Sequence, residues 1–239
     1  MNDELPKSGA YRTTVQISEL QVKLGIVADR ILRDIESAQT KIEATKKEVA
    51  SRWNKVAGVS AVDRSRLSNQ ESGTRVREII DDVVLKLDDS YDNAQELYRE
   101  IKEAEVFYPG KMQFLMNATI MSDSRAKYAT ALTMAGPMEL AGYASYAIGV
   151  QDSVMAAAVI QANDALPTKE RRFLSVAVAN RIEIPAWNSL QSALKLAYVL
   201  SQQIETAVRT FKSGRPSPID TIRLAMLKND LKTEGDSDE

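Results

Sequence analysis

The sequence predicts an all-α protein, with a long antiparallel helical hairpin over about residues 16–57 and 74–105 and a helical bundle region containing one further long helix over about 186–212. Three apolar runs predict it. Ile17, Leu20, Leu24, Val27, Ile31, Ile35, Ala38, Ile42, Val49, Trp53 and Val56 recur almost entirely at steps of three or four, with Thr45 filling the widest gap. Val76, Ile80, Val83, Leu87, Tyr91, Ala94, Tyr98 and Ile101 form a second such run, and Trp187, Leu190, Leu194, Ala197, Ser201, Ile204, Val208 and Phe211 a third. A mean step of about 3.5 residues keeps one stripe facing a partner along a whole helix. At a rise of ~1.5 Å per residue the first run makes a rod roughly 60 Å long, which cannot bury its stripe alone.

Taken in order, residues 1–15 read as an N-terminal arm, 16–107 as the hairpin, 108–231 as the bundle region and 232–239 as an acidic tail. Gly58 is expected to end the first helix, and the Ser-, Asn- and Arg-rich stretch 58–73 to connect it to a second helix starting near Thr74. An antiparallel pair then sets Val76 near Val56 and Ile101 near Leu24 or Val27. Tyr108-Pro109-Gly110-Lys111 carries the residues of a type II turn. Beyond it, helices are expected over Lys111–Ile120 and Ser124–Ala135, with a cap at Ser122 or Asp123, and a continuous helix from Pro137 to about Ala165. A short helix over Thr168–Asn180, an extended Ile182-Glu183-Ile184, the long helix from Pro185 or Ala186, and a last helix capped by Ser217 complete the expected elements.

Composition removes several chemistries. The 239 residues include no cysteine and no histidine, and carry 31 basic and 33 acidic residues for a net charge of −2. Thiolate metal sites, cysteine nucleophiles, serine–histidine triads, HExxH zinc sites and di-iron Glu-x-x-His bundles are thereby excluded. The near-neutral balance gives no field that commits the chain to nucleic acid or an anionic membrane. The opening residues, with Asp3, Glu4, Pro6 and Gly9, do not form the apolar run of a signal peptide, so a virion or cytoplasmic location is expected.

The remaining candidates are clusters. Arg64, Arg66, Arg75 and Arg77 flank the first connection, and Lys169, Arg171 and Arg172 form a second basic group; without interleaved aromatic residues both read as partner-facing or solvated charge, with phosphate contact confined to these clusters. Ala141, Ser145, Gly149, Ser153 and Ala157 recur at every fourth position and predict a close helix contact. Asp81, Asp82, Asp88, Asp89, Asp92, Glu96, Glu100, Glu103 and Glu105 read as a solvated acidic face, since neither the paired Glu-x-x-Glu pattern of all-helical nucleotide hydrolases nor an EF-hand loop is reproduced. The sequence therefore reads as a non-enzymatic structural protein without a cofactor, a subunit of a ring or repeated complex such as a phage head-to-tail adaptor or connector. Its expected partners are copies of itself and other structural proteins of that assembly. The alternatives are a membrane-active ejection-type protein using residues 128–163, which are interrupted by charge before reaching the ~20 apolar residues of a span, and a magnesium-dependent nucleotide hydrolase.

Overall fold

The heptad-like period of the first run builds α1, Thr14–Asn54, and the second run lies in α2, Ala61–Glu105. The computed structural model describes residues 11–214 and the helical positions Ile222, Ala225, Met226 and Asn229. Among these residues there are six further helices, α3 (Lys111–Ala118), α4 (Asp123–Leu132), α5 (Pro137–Val150), α6 (Ser153–Ala165), α7 (Ser175–Arg181) and α8 (Pro185–Ser213), and no strand. The protein is all-α. Most of the expected N-terminal arm, the start of the last helix and the acidic tail lie outside the described residues.

The described residues form two compact units, Val15–Lys102 with the chain from Ala193 onward, and 11–14 with Glu103–Ser192. In this division α8 contributes its first residues to one unit and its remainder to the other.

In the hairpin unit, α1 and α2 run antiparallel. Trp53 Nε1 donates to Glu71 Oε2 at 2.9 Å, Arg52 pairs with the same carboxylate, and Arg75 reaches back to Glu48 at 3.5 Å. These contacts put Val76 near the level of Glu48, about two turns short of the expected Val56. The difference comes from the connection. Residues 61–73, expected to be a loop, are helical. The Ser60 hydroxyl accepts from the Asp63 N–H at 3.1 Å and donates to its carboxylate at 2.7 Å, so Ser60-x-x-Asp63 starts the helix well before Thr74. The turn shrinks to residues 55–60, and Gly58 supplies its φ of 81°.

The third helix of this unit is the second part of α8. Leu200 Cδ1 lies 3.8 Å from the position a Cβ on Gly25 would take, and Lys212 pairs with Asp88. The hairpin register sets Asp88 near the level of Ile35, so α8 advances along α1 from Gly25 to Ile35, parallel to α1 and antiparallel to α2. Burial follows this arrangement. Ile17, Leu24, Ile31, Leu87, Ile101 and Ile204 are fully buried. Beyond Ala38, Ile42, Trp53, Val56, Leu67, Ile80 and Val83 are only half-buried, Val49 excepted, because α8 ends at Ser213 and the described distal hairpin has two helices to share each apolar side chain. The sequence expectation that Val83 belongs to the buried core is corrected in the same way.

The bundle unit is built around α6. Its residues Met155–Ile160 are buried without interruption, as suits a helix covered on every side, and it packs against α3, α4, α5 and α7. The expected helix from Pro137 to Ala165 is in fact two. Gln151 takes a left-handed conformation (φ 55°, ψ 33°), and Asp152 caps α6 by accepting from Met155 N–H at 2.9 Å. A left-handed non-glycine residue costs about 1 to 2 kcal/mol. The Gln151 side chain offsets it by donating to Ile148 O and Arg181 O at 2.9 and 3.1 Å and accepting from Glu183 N–H at 2.7 Å.

Other boundaries move for local reasons. Gly110 has an extended backbone (φ 176°, ψ 161°) and occupies the position before α3, which removes the expected type II turn. Residues 168–170 form a turn and 171–174 are irregular, leaving only Ser175–Arg181 helical; Arg171 bonds Leu166 O at 3.0 Å and Asp164 O at 2.7 Å and holds that loop closed. Ile182 and Ile184 are buried in an extended connection without a strand partner.

Truncation separates the two regimes of the hairpin. Ile31→Ala is expected to lose ~2 to 5 kcal/mol of stability, and Val83→Ala less than about 1 kcal/mol, since half the area is lost. Urea melts followed by circular dichroism measure both; equal losses would contradict the division between a three-helix and a two-helix part.

Candidate interaction surfaces

The distal end of the hairpin collects the first basic cluster, but does not bring its members together. Arg64 reaches Asn54 O at 3.4 Å and lines a depression of about 400 Å³ with Trp53, Ser68 and Asn69. Arg66 pairs with Asp63 at 3.3 Å, and Arg75 with Glu71 at 3.2 Å. Arg77 is exposed on the other side of the helix from these interhelical contacts. Two of the four arginines thus join α1 to α2, and the group that the sequence reads as partner-facing or solvated charge is dispersed.

Glu71 is the centre of that junction. The hydrogen bonds from Arg52 and then Trp53 hold its carboxyl below the usual carboxylate range, with the charges of Arg52 and Arg75 adding and burial opposing. Three residues of the acidic face of α2 are ion-paired, Asp82 with Lys86 at 2.9 Å, Asp88 with Lys212, and Glu96 with Arg99 at 3.6 Å. Among the described residues no three acidic side chains converge as a metal-holding group, and no helix is long and apolar enough to cross a membrane.

In the bundle unit the small-residue ridge does not form a continuous contact. Ala157 is buried in α6, Ala141 and Ser153 are half-buried, and Ser145 and Gly149 are exposed on α5. A Cβ built on Gly149 meets nothing within 4 Å, so the expected close contact inside the chain is absent there. Two separate helices cannot carry a four-residue period across the turn at Gln151. The packed stripe of α5 is instead Leu140, Ala144 and Ala147.

The second basic cluster lies beside a groove of about 480 Å³ lined by Met112, Arg171, Arg172, Phe173, Leu174 and Val176, among others. Beneath it Asn163 donates to Phe173 O at 3.3 Å and Ser175 Oγ at 3.2 Å, while Ser175 donates to Asp164 at 2.7 Å. Arg171 is committed to this network.

Two further polar features have no counterpart in the sequence reading. Arg125, buried at the end of α3, donates to Met116 O at 2.5 Å, Thr119 Oγ1 at 3.1 Å and Gln161 Oε1 at 3.1 Å. It joins α3, α4 and α6 by satisfying a carbonyl at a helix C-terminus, where a cation is favoured. Tyr128 donates to Asp152 at 3.1 Å, and that bond raises its phenol above the ordinary range. An aromatic chain, Tyr11, Phe107, Tyr108, Phe114 and Trp187, fastens the start of the described chain: Tyr11 meets Phe107 edge-on at 5.5 Å, and Tyr108 donates to Arg12 O at 2.6 Å. Residues 11 and 12 thus belong to the fold, although the sequence places them in a free arm. No family model, curated protein or solved structure matches this chain.

Burial, and secondarily the Tyr11 hydroxyl, pushes the Tyr108 phenol from 10.0 up to about 12. Its folded value is raised, so its contribution to stability is complete below pH 10 and is lost as pH rises toward 12. A phenolate absorbance titration of native protein is expected to show Tyr108 and Tyr128 titrating late, with the step near pH 12 lost in Tyr108→Phe; identical titrations would show that Tyr108 is not shielded.

Proposed function

We propose that this chain is a non-catalytic helical assembly protein, a subunit of a ring or repeated complex such as a virion head-to-tail adaptor or connector, whose partners are copies of itself and other structural proteins of that assembly. The observation that carries this reading is the distal hairpin. Its seam residues are half-buried in a two-helix coil, its tip exposes Val62, and Leu85 is uncovered on the same helix. A long two-helix element with an incompletely covered seam suits docking against further helices. The exposed apolar residues of the bundle unit, Met121, Met134 and Met138 among them, support the same reading.

The ion pairs of Asp82, Asp88 and Glu96 favour this over the magnesium-dependent hydrolase, and liposome flotation separates it from the membrane-active alternative. The direct test is the mass of the native particle. Sedimentation velocity and native mass spectrometry are expected to give a multiple of the 26.5 kDa chain, or a complex with other structural proteins when these are supplied. A single 26.5 kDa species at every concentration and in every mixture would overturn the proposal.

A further inference from the structure

Helix α5 turns one side to the core and leaves the other uncovered. On the uncovered side Met138 is 71% exposed, Tyr143 44%, Tyr146 60% and Val150 52%. Together the two tyrosines leave about one whole tyrosine surface, ~200 Å², and the face amounts to on the order of 400 Å². That is as large as the greatest apolar patch of an ordinary monomer, and about half of the ~800 Å² each partner buries in a standard interface. The acidic side chains beside it are Glu139, which lines its depression, and Asp152. Glu139 accepts from the Gly136 N–H at 2.9 Å, and Asp152 is engaged by Met155 N–H and Tyr128. The face offers no cation, so an acidic or otherwise strongly charged partner finds no complement.

Its relief is self-complementary. Glu139, Gly142, Tyr143, Tyr146 and Met155 surround a shallow depression of about 430 Å³, open above Gly142, where a Cβ would meet nothing within 4 Å. Val150 protrudes from the same face. Gly142 and Val150 stand four residues to either side of Tyr146, so a copy laid antiparallel across α5 brings each Val150 over the other copy's Gly142. An interface that pairs a recess with a protrusion symmetrically about one residue is isologous.

We propose that α5 is a homotypic docking helix, binding a second copy of this chain about a two-fold axis at Tyr146, with Val150 of each copy in the depression over Gly142 of the other. This rests on the assembly reading above and names one contact within it.

The absence of native cysteine makes the test direct. Under mild oxidation of the full chain, Tyr146→Cys is expected to form a disulfide dimer at least tenfold faster than Met121→Cys, which is exposed but lies off this face. A mixture of Gly142→Cys and Val150→Cys, both retaining Tyr146, is expected to cross-link to each other, with circular dichroism checking that each variant keeps its helicity. Rates no greater than that of Met121→Cys in both experiments would overturn the docking helix. If wild-type protein then still sedimented as an oligomer, the assembly reading would survive without it; a monomer throughout would remove both. Flotation of wild-type protein with liposomes, lost in Tyr146→Lys, would assign the face to a membrane and overturn the proposal.

Discussion

The pairing of α1 with α2 depends on where Glu71 sits. Apolar burial supplies the drive for two long helices to associate, but a repeating stripe is nearly indifferent to a slip of seven residues. A charged junction is not. Arg52 and Trp53 from one helix and Arg75 from the other converge on Glu71, and a slipped pairing would strand that carboxylate and the indole N–H together. The junction sits next to the turn, so the register is fixed at the place where chain connectivity already brings the helices together. Everything proximal inherits it, including the level of Asp88 and hence the position at which Lys212 ends α8.

The two units solve the problem of burial differently. In the hairpin unit, large side chains at heptad steps meet in the middle of three long helices, and Leu87, Ala94 and Ile101 mark the buried edge of α2 at intervals of seven. In the bundle unit one helix is surrounded, and its Ala156, Ala157 and Ala158 let neighbours approach from several sides. The short helices there are held by named polar contacts at their ends, Arg125 at α3, Asp152 at α6 and Gln151 at α5. Each contact satisfies backbone groups that a helix end otherwise leaves open.

The three apolar seams were legible because their period reports the buried face directly. The start of α2 was misread since Ser, Asn and Arg resemble loop composition, although the Ser60-x-x-Asp63 cap was available as a signal. The break at Gln151 carried no glycine or proline; what stabilises it is a side chain reaching residues about thirty positions away, which no local pattern records. The same is true of the contact from Tyr108 to Arg12. Of the candidate sites, the arginines were visible as composition, but their partners depend on the register of a hairpin whose turn had been placed too late. The ridge from Ala141 to Ala157 had a regular period in sequence and lost it in space, because one left-handed residue resets the helix phase.

The distal hairpin beyond α8 has a property that the three-helix part lacks. Among the described residues its two helices contact mainly each other, so inserting one heptad in α1 and one in α2 on the proximal side of the Glu71 junction would lengthen it by about 10 Å while returning every apolar residue to the same face. The capped turn at Ser60, the junction and the docking of α8 would all be preserved. The reach of this element is therefore an adjustable dimension, quantised in steps of seven residues and separable from the core that carries it.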